Sequence, residues 1–243
     1  DKHGIKHLGA GREPEEAFAP EILNVNDQKI GFLAFATSYS PYANVASGKP
    51  GIAGIRTAFS LEFSPSLYLR TPEVKRRLVD KDVKKVQDCI KRLREKADFV
   101  IVSVHWGKEY EYEPVDYQRT LGHAMVDAGA DLIVGHHPHT LQPVEIYKGR
   151  HIFYSLGNFV FQEEEEFERY RLLLSEAFML RATIERGNIS KIELLPMRLD
   201  KTGLPLITEV KAKVIEHMNK ISSSVGANVI PYEKWAIVQE ARP

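Results

Sequence analysis

Residues 98–139, DFVIVSVHWGKEYEYEPVDYQRTLGHAMVDAGADLIVGHHPH, hold two apolar runs separated by a helical pattern. The first run, beginning at Phe99, is apolar nearly throughout, as a strand covered on both faces of its sheet must be. Pro114 marks the opening of a helix and Gly129 its close, and DLIV from Asp131 starts the next strand. Strand, helix, strand in this order is a right-handed crossover that leaves the two strands parallel. Parallel strands end at the same edge. His105 closes the first, and His136, His137 and His139 follow the second. Two histidine groups far apart in sequence are therefore expected together at the carboxyl edge, where open α/β sheets bind ligands.

Working upstream, Asp82 to Ala97 places Val83, Val86, Ile90, Leu93 and Ala97 at helical spacing with cationic residues opposite, an amphipathic helix packed on the sheet. Further back, QKIGFLAFATSY from Gln28 reads as a strand, and the Asn26-Asp27 turn signal makes a hairpin with ILNV before it. Between lies Ser40 to Pro72, rich in Pro, Gly and Ser, a long loop of the kind that is a lid, a substrate wall or a disordered segment, with a substrate wall expected from its position after a strand. Downstream, HIFYSLGNFVF from His151 and the pair AFMLRATIERGNISKIELLPMRL, turning at Gly187 and Asn188, supply more strands. TEVKAKVIEHMNKISSSVG from Thr208 is a final amphipathic helix, and no internal repeat is visible.

The 243 residues suffice for a full core. Thirty-three basic and thirty-three acidic side chains cancel, which argues against a nucleic-acid surface and leaves any anion to be handled locally. A single cysteine, Cys89, rules out an internal disulfide or a thiolate metal cage. The sequence has no apolar run of about 18 residues that would span a membrane, and its opening lacks the layout of a signal peptide. The first residue is Asp1, in what reads as the middle of a helix followed by a turn, so the expectation is a chain lacking its amino-terminal portion.

Neutral imidazole at strand ends is the commonest protein ligand for zinc, manganese or iron. On an extended segment, His137 and His139 point to one side and can grip one ion or two adjacent ions. Alternation sends His136 to the other face, to support a ligand, meet substrate or simply pack. Glu109 follows a glycine turn that returns it over His105, as a metal ligand, a general acid and base, or a binder of a cationic group. Glu111 and Glu113 read as solvated, Tyr110 and Tyr112 as packing residues, and the acidic run EEEEFE from Glu163 as a solvated loop. His3, His7, His123, His151 and His217 are assigned to no site.

VSVHWGKEYEYEP, then DAGADLIVGHHPHTLQPVEIYKGRHIFYSLGNFVF, closely resembles the capsule-synthesis CapA family, also called the poly-γ-glutamate capsule biosynthesis family. The upstream HGIKHLGAGREPEEAFAPEILNVNDQKIGFLAF and the downstream ISSSVGANVI extend the resemblance over nearly the whole chain. It implies one α/β domain over residues 1–243, a two-sheet β-sandwich flanked by helices and similar to calcineurin-like metallophosphoesterases. It also implies His105, His137 and His139 as metal-site residues, Glu109 and His105 as catalytic candidates, and Asn158 of SLGNF as a motif residue whose role is open. Family members begin with a Gly-Asp strand and an NNH segment that complete a two-metal site, and neither is present in this sequence. The implied cofactor is a divalent ion, manganese, zinc or iron, two in a full-length protein and one or none here. The implied role is metal-dependent hydrolysis of a phosphoester or amide in capsule or poly-γ-glutamate biosynthesis. The alternative is a non-catalytic component of a membrane-associated polymer synthesis or export complex. Expected partners are the capsule polymer or its precursor and membrane-bound polymer synthesis proteins, with no nucleic acid, in an extracytoplasmic, membrane-associated setting.

Overall fold

The computed structural model describes residues 3–38, 41–46, 48–63, 72–161, 175–207 and 211–241. Its strands are β1 (Ala10–Gly11), β2 (Glu21–Val25), β3 (Gln28–Ala36), β4 (Gly51–Ile52), β5 (Thr57–Phe63), β6 (Pro72–Leu78), β7 (Phe99–His105), β8 (Leu132–His136), β9 (Leu141–Tyr147) and β10 (Arg150–Leu156), followed by β11 (Glu176–Glu185), β12 (Asn188–Leu199), β13 (Pro205–Leu206), β14 (Ala227–Tyr232) and β15 (Trp235–Glu240). Its helices are α1 (Pro14–Ala17), α2 (Asp80–Arg94), α3 (Asp116–Asp127) and α4 (Lys211–Ser223). The acidic run from Glu163 and the first residues of the expected final helix, Thr208 to Val210, lie outside the described residues, as do parts of the expected Ser40 to Pro72 loop.

The main sheet has the order β2-β3-β7-β8-β10-β9. β3, β7, β8 and β10 run parallel, as the crossover reading requires, and β2 and β9 are antiparallel edges. Alternation along β7 assigns its two faces. Val100, Val102 and Val104 point to one side, where Val86, Ile90 and Leu93 of α2 and Leu121 and Met125 of α3 cover them. Phe99 points to the other, into a core shared with Phe178, Ile192 and Leu194 of a second sheet ordered β11-β12-β15-β14. α4 adds Val214, Ile215 and Met218 to that core. The fold is thus mixed α/β, with two sheets face to face and two helices on the outer face of the first.

Turn chemistry sets the hairpin registers. Asn26 and Asp27 both adopt positive φ, the requirement of a two-residue loop whose twist matches its strands, and Asn and Asp tolerate it. The β11–β12 turn differs by one residue from the sequence reading. Arg186 and Gly187 occupy its centre with φ 51° and 73°, and Asn188 already pairs with Glu185. The β9–β10 hairpin, turning at Lys148 and Gly149, and the β14–β15 hairpin, turning at Glu233, were not read from the sequence, nor was the pairing of β5 with β6.

At the amino-terminal end of the parallel strands, Asp131 is almost fully buried. It accepts hydrogen bonds from Arg94 of α2 and the Val100 amide and pairs with Arg150 of β10. This tie fixes helix and strands at the edge opposite the histidines.

His151 of β10 sits between Leu132 of β8 and Ile146 of β9 in register, and among the described residues its Nδ1 has no hydrogen-bond partner. Burial, reinforced by the adjacent Arg150, holds its pKa down at about 4. The unfolded chain takes up this proton near pH 6.5, so the unfolded state binds more protons between pH 6.5 and 4 and stability is lost as pH falls through that window. His151→Phe is expected to relieve up to about 3 kcal/mol of that loss at its lower end, read as the difference in urea midpoints between pH 7 and pH 4.5.

Candidate metal centre

The carboxyl ends of β7 and β8 lie side by side, with His105 directly opposite His136 in the register. The Trp106 amide donates to the His136 carbonyl at 3.0 Å, closing the ladder. Trp106 is fully buried, stacks on Tyr154 at 5.6 Å between centroids, and donates its indole N–H to the Tyr154 carbonyl at 2.9 Å. Gly135 makes room for that indole, because a Cβ there would stand 2.4 Å from Nε1 and 2.2 Å from the Tyr154 oxygen.

Beyond His136 the chain departs from the extended course expected of it. His137 has φ 99° and His139 φ 60°, with Pro138 between them. The rings converge through a turn and not through strand alternation. Positive φ in non-glycine residues costs on the order of 1–3 kcal/mol each and persists only where surroundings hold it. Here the Tyr110 amide donates to the Pro138 carbonyl at 2.8 Å, and the Asn158 amide nitrogen donates to the His139 carbonyl at 3.3 Å.

The acidic loop after Trp106 is fixed from below by a buried polar network. Thr140 Oγ1 and Gln142 Nε2 donate to the Glu111 carbonyl at 2.9 and 3.0 Å. Gln118 of α3 donates to Gln142 Oε1 at 3.0 Å and accepts from the Val115 amide at 2.9 Å. Gly107, at φ 95°, donates its amide to the Tyr117 hydroxyl at 2.6 Å. Thr140, Gln118 and Gln142 are wholly buried, so each must be satisfied, and satisfying them locks the loop.

The result is a cluster of three donors. Glu109, His137 and His139 bring ligand atoms within 4.8 Å of one another. His105 stands beside them, its ring centroid 4.6 Å from that of His137, and His136 is exposed at the strand end. Asn158 is buried, and its Oδ1 lies 2.8 Å from His139 Nδ1. Since its Nδ2 donates to the His139 carbonyl, Oδ1 is the acceptor and Nδ1 carries the hydrogen. Nε2 is left with its lone pair, the arrangement that metal-binding histidines take when a neighbour fixes their tautomer. Phe161 packs edge-on against the same ring at 5.1 Å.

Electrostatics favour neutral imidazoles. Burial first, then His105, His139 and Arg76, hold His137 down at about 4. His105 is lowered as well, by desolvation and by His136 and His139, although part of its ring reaches solvent. Neutral rings offer lone pairs at pH 7. Two oriented imidazoles and a carboxylate suit one divalent ion with open positions. A second ion needs donors beyond these three and His105.

Lining the approach is a cleft of about 1950 Å³ between this edge and the β5–β6 hairpin, reached by Glu109, Tyr110 and His137. The first strand of the hairpin, β5, falls within the Ser40 to Pro72 stretch expected to be a substrate wall, and β6 begins where that stretch ends. The hairpin is ordered as two paired strands, and not as an irregular loop, over its described residues.

Comparison with known proteins agrees with the sequence motifs. A family model described as "Bacterial capsule synthesis protein PGA_cap" matches residues 1–163. The chain is 38% identical over 159 residues to "Capsule biosynthesis protein CapA" of Bacillus anthracis, covering 65% of this chain and 33% of that protein. It is 60% identical over 74 residues to "PGA biosynthesis protein CapA" of Bacillus subtilis (strain 168), covering 30% and 20%. A "Probable polyglutamine synthesis accessory protein" of Mycobacterium tuberculosis (strain ATCC 25618 / H37Rv) is 26% identical over 235 residues, covering 93% and 57%. The matched stretches thus span less than two thirds of each of these relatives.

Proposed function

The chain belongs to the PGA_cap family of bacterial capsule synthesis proteins, and on that premise we propose that it carries a divalent-metal site for hydrolase-like chemistry in capsule or poly-γ-glutamate biosynthesis. The observation that carries this reading is the convergence of Glu109, His137 and His139 at the carboxyl edge of parallel strands, open to a large cleft. The face-to-face sheets with outer helices agree with a metallophosphoesterase-like architecture, although fold alone does not choose the bond. Phosphoester and amide substrates both fit this reading.

A divalent ion, when bound, would acidify a water and polarise the scissile phosphoryl or carbonyl oxygen. His137 and His139 would hold it through neutral nitrogens, and Glu109 through a carboxylate on a loop that the glutamine network keeps in place. Asn158 orients His139. His105, beside His137 but outside the three-donor group, is placed to hold or move a proton. His136 faces solvent and contributes its carbonyl to the sheet edge. The partners in this reading are an acidic capsule polymer or its precursor and membrane-bound polymer synthesis proteins, in an extracytoplasmic setting.

One further reading has support. One relative is named an accessory protein, which favours a non-catalytic component of a polymer synthesis or export complex. The two readings separate in an assay of the chain with manganese, zinc or iron(II) against phosphomonoesters, phosphodiesters and γ-glutamyl amides. Hydrolase function requires turnover in one class that chelator abolishes and Glu109→Gln lowers by roughly a hundredfold, the usual scale for a positioned acid–base group. Metal uptake with no turnover in any class favours the non-catalytic reading.

A further inference from the structure

Overall the chain is electrically balanced, but the cleft beside the metal centre is not. Among the described residues, five cationic side chains line it against three carboxylates. Several of these cations are engaged locally. Arg56 pairs with Asp82 at 2.8 Å, and Lys108 with Glu111 at 2.6 Å. Arg76 of β6 differs from them. Its guanidinium lies 4.8 Å from the centroid of Phe59, its register partner on β5, and 5.8 Å from that of Tyr117. Among the described residues it forms no ion pair.

Stacking against aromatic faces occupies the flat sides of a guanidinium and leaves its edge, with five N–H donors, open. A half-buried cation held this way, with no carboxylate to neutralise it, gains most from meeting an anion in the cleft. Arg76 and His137 line the same cleft. Tyr117, one of the aromatic contacts of Arg76, bonds through its hydroxyl to the backbone of Gly107, which leads into the Glu109 loop. The arginine and the proposed metal ligands are therefore positioned by one connected piece of structure.

We propose that Arg76 forms an oxyanion subsite, gripping a carboxylate or phosphoryl group of the substrate in the cleft alongside Glu109, His137 and His139. The proposal deepens the metal-site reading and rests on it for the placement of the reacting bond. The shared chemistry is a planar or tetrahedral oxyanion that accepts paired N–H bonds. A pendant carboxylate of an acidic polymer and a phosphoryl group are its two sources.

Calorimetric titration of the manganese-loaded chain with a γ-linked glutamate pentamer and, separately, with inorganic phosphate tests this. Arg76→Met keeps the apolar stem between the rings and removes the charge, and Arg76→Lys keeps the charge and removes the fork. Arg76→Met is expected to weaken the bound probe roughly tenfold to a hundredfold, the scale of a lost charge-assisted hydrogen bond, and Arg76→Lys to weaken it less. Metal content by elemental mass spectrometry and the melting temperature should match wild type. The probe that loses affinity identifies the source of the oxyanion. Equal affinity of wild type and Arg76→Met for every probe that binds overturns the proposal, as does failure of the wild-type chain to bind either one. If probe binding depends on Arg76 while the chain retains no metal, the subsite stands and the metal-site reading falls alone.

Discussion

His137→Ala with His139→Ala is expected to abolish specific divalent-metal binding while leaving the chain folded. Two of three clustered donors vanish together, and the loss should exceed the tenfold to hundredfold that follows when only a supporting group is removed. The fold should survive, because neither ring belongs to the two main cores built from β7, β8 and their helices. Relief of two positive-φ positions does not follow from the substitution, since alanine at φ 99° and 60° is strained as histidine is. Equilibrium dialysis with zinc and manganese, read by elemental mass spectrometry, checks the result, and circular dichroism establishes that the variant is folded. Retention of one ion per chain by the double variant would place the metal elsewhere.

Asn158→Leu should lower metal affinity by roughly tenfold to a hundredfold without touching any ligand atom. Two interactions go at once: the acceptor that keeps hydrogen on His139 Nδ1, and the donor to the His139 carbonyl that helps hold its backbone at positive φ. Without them the ring loses its tautomer bias and its orientation. Asn158→Asp retains an acceptor for Nδ1–H and should stay within a few-fold of wild type, a contrast that a merely structural role for the side chain would not produce. Competition with a chromophoric chelator measures both variants. Equal losses in Asn158→Leu and Asn158→Asp would assign the effect to packing.

The convergence of His105 with the later histidines was legible because it depends only on strand polarity. Two apolar runs joined by a helix fix that polarity, and the observed register sets His105 opposite His136. The Asn-Asp turn and the helix over α2 were legible for the same reason, through local spacing and local turn chemistry. What could not be read was the conformation of residues 137–139. An H-P-H segment says nothing of φ until the Tyr110 amide and Asn158 reach it from distant positions. The Gln118–Gln142 pair was equally hidden, since a buried glutamine has the same letter as an exposed one. One cue was available: Gln118 lies in the first turn of a helix opened by Val115, the position from which a glutamine side chain bonds back to the preceding amide. Arg76 lies just beyond the Ser40 to Pro72 stretch, in residues to which the sequence reading assigned no element, and its significance depends on pairing with Phe59, which composition does not reveal.

The most direct measurement is anomalous diffraction from crystals of the chain grown with zinc or manganese, collected above and below the absorption edge of the metal supplied. The account predicts a peak bonded to His137, to His139 Nε2 and to a Glu109 oxygen, at about 2.0–2.2 Å for zinc, with Asn158 still on His139 Nδ1. A saturated crystal with no peak among these three residues, or with the ion bound only at other positions, would contradict it.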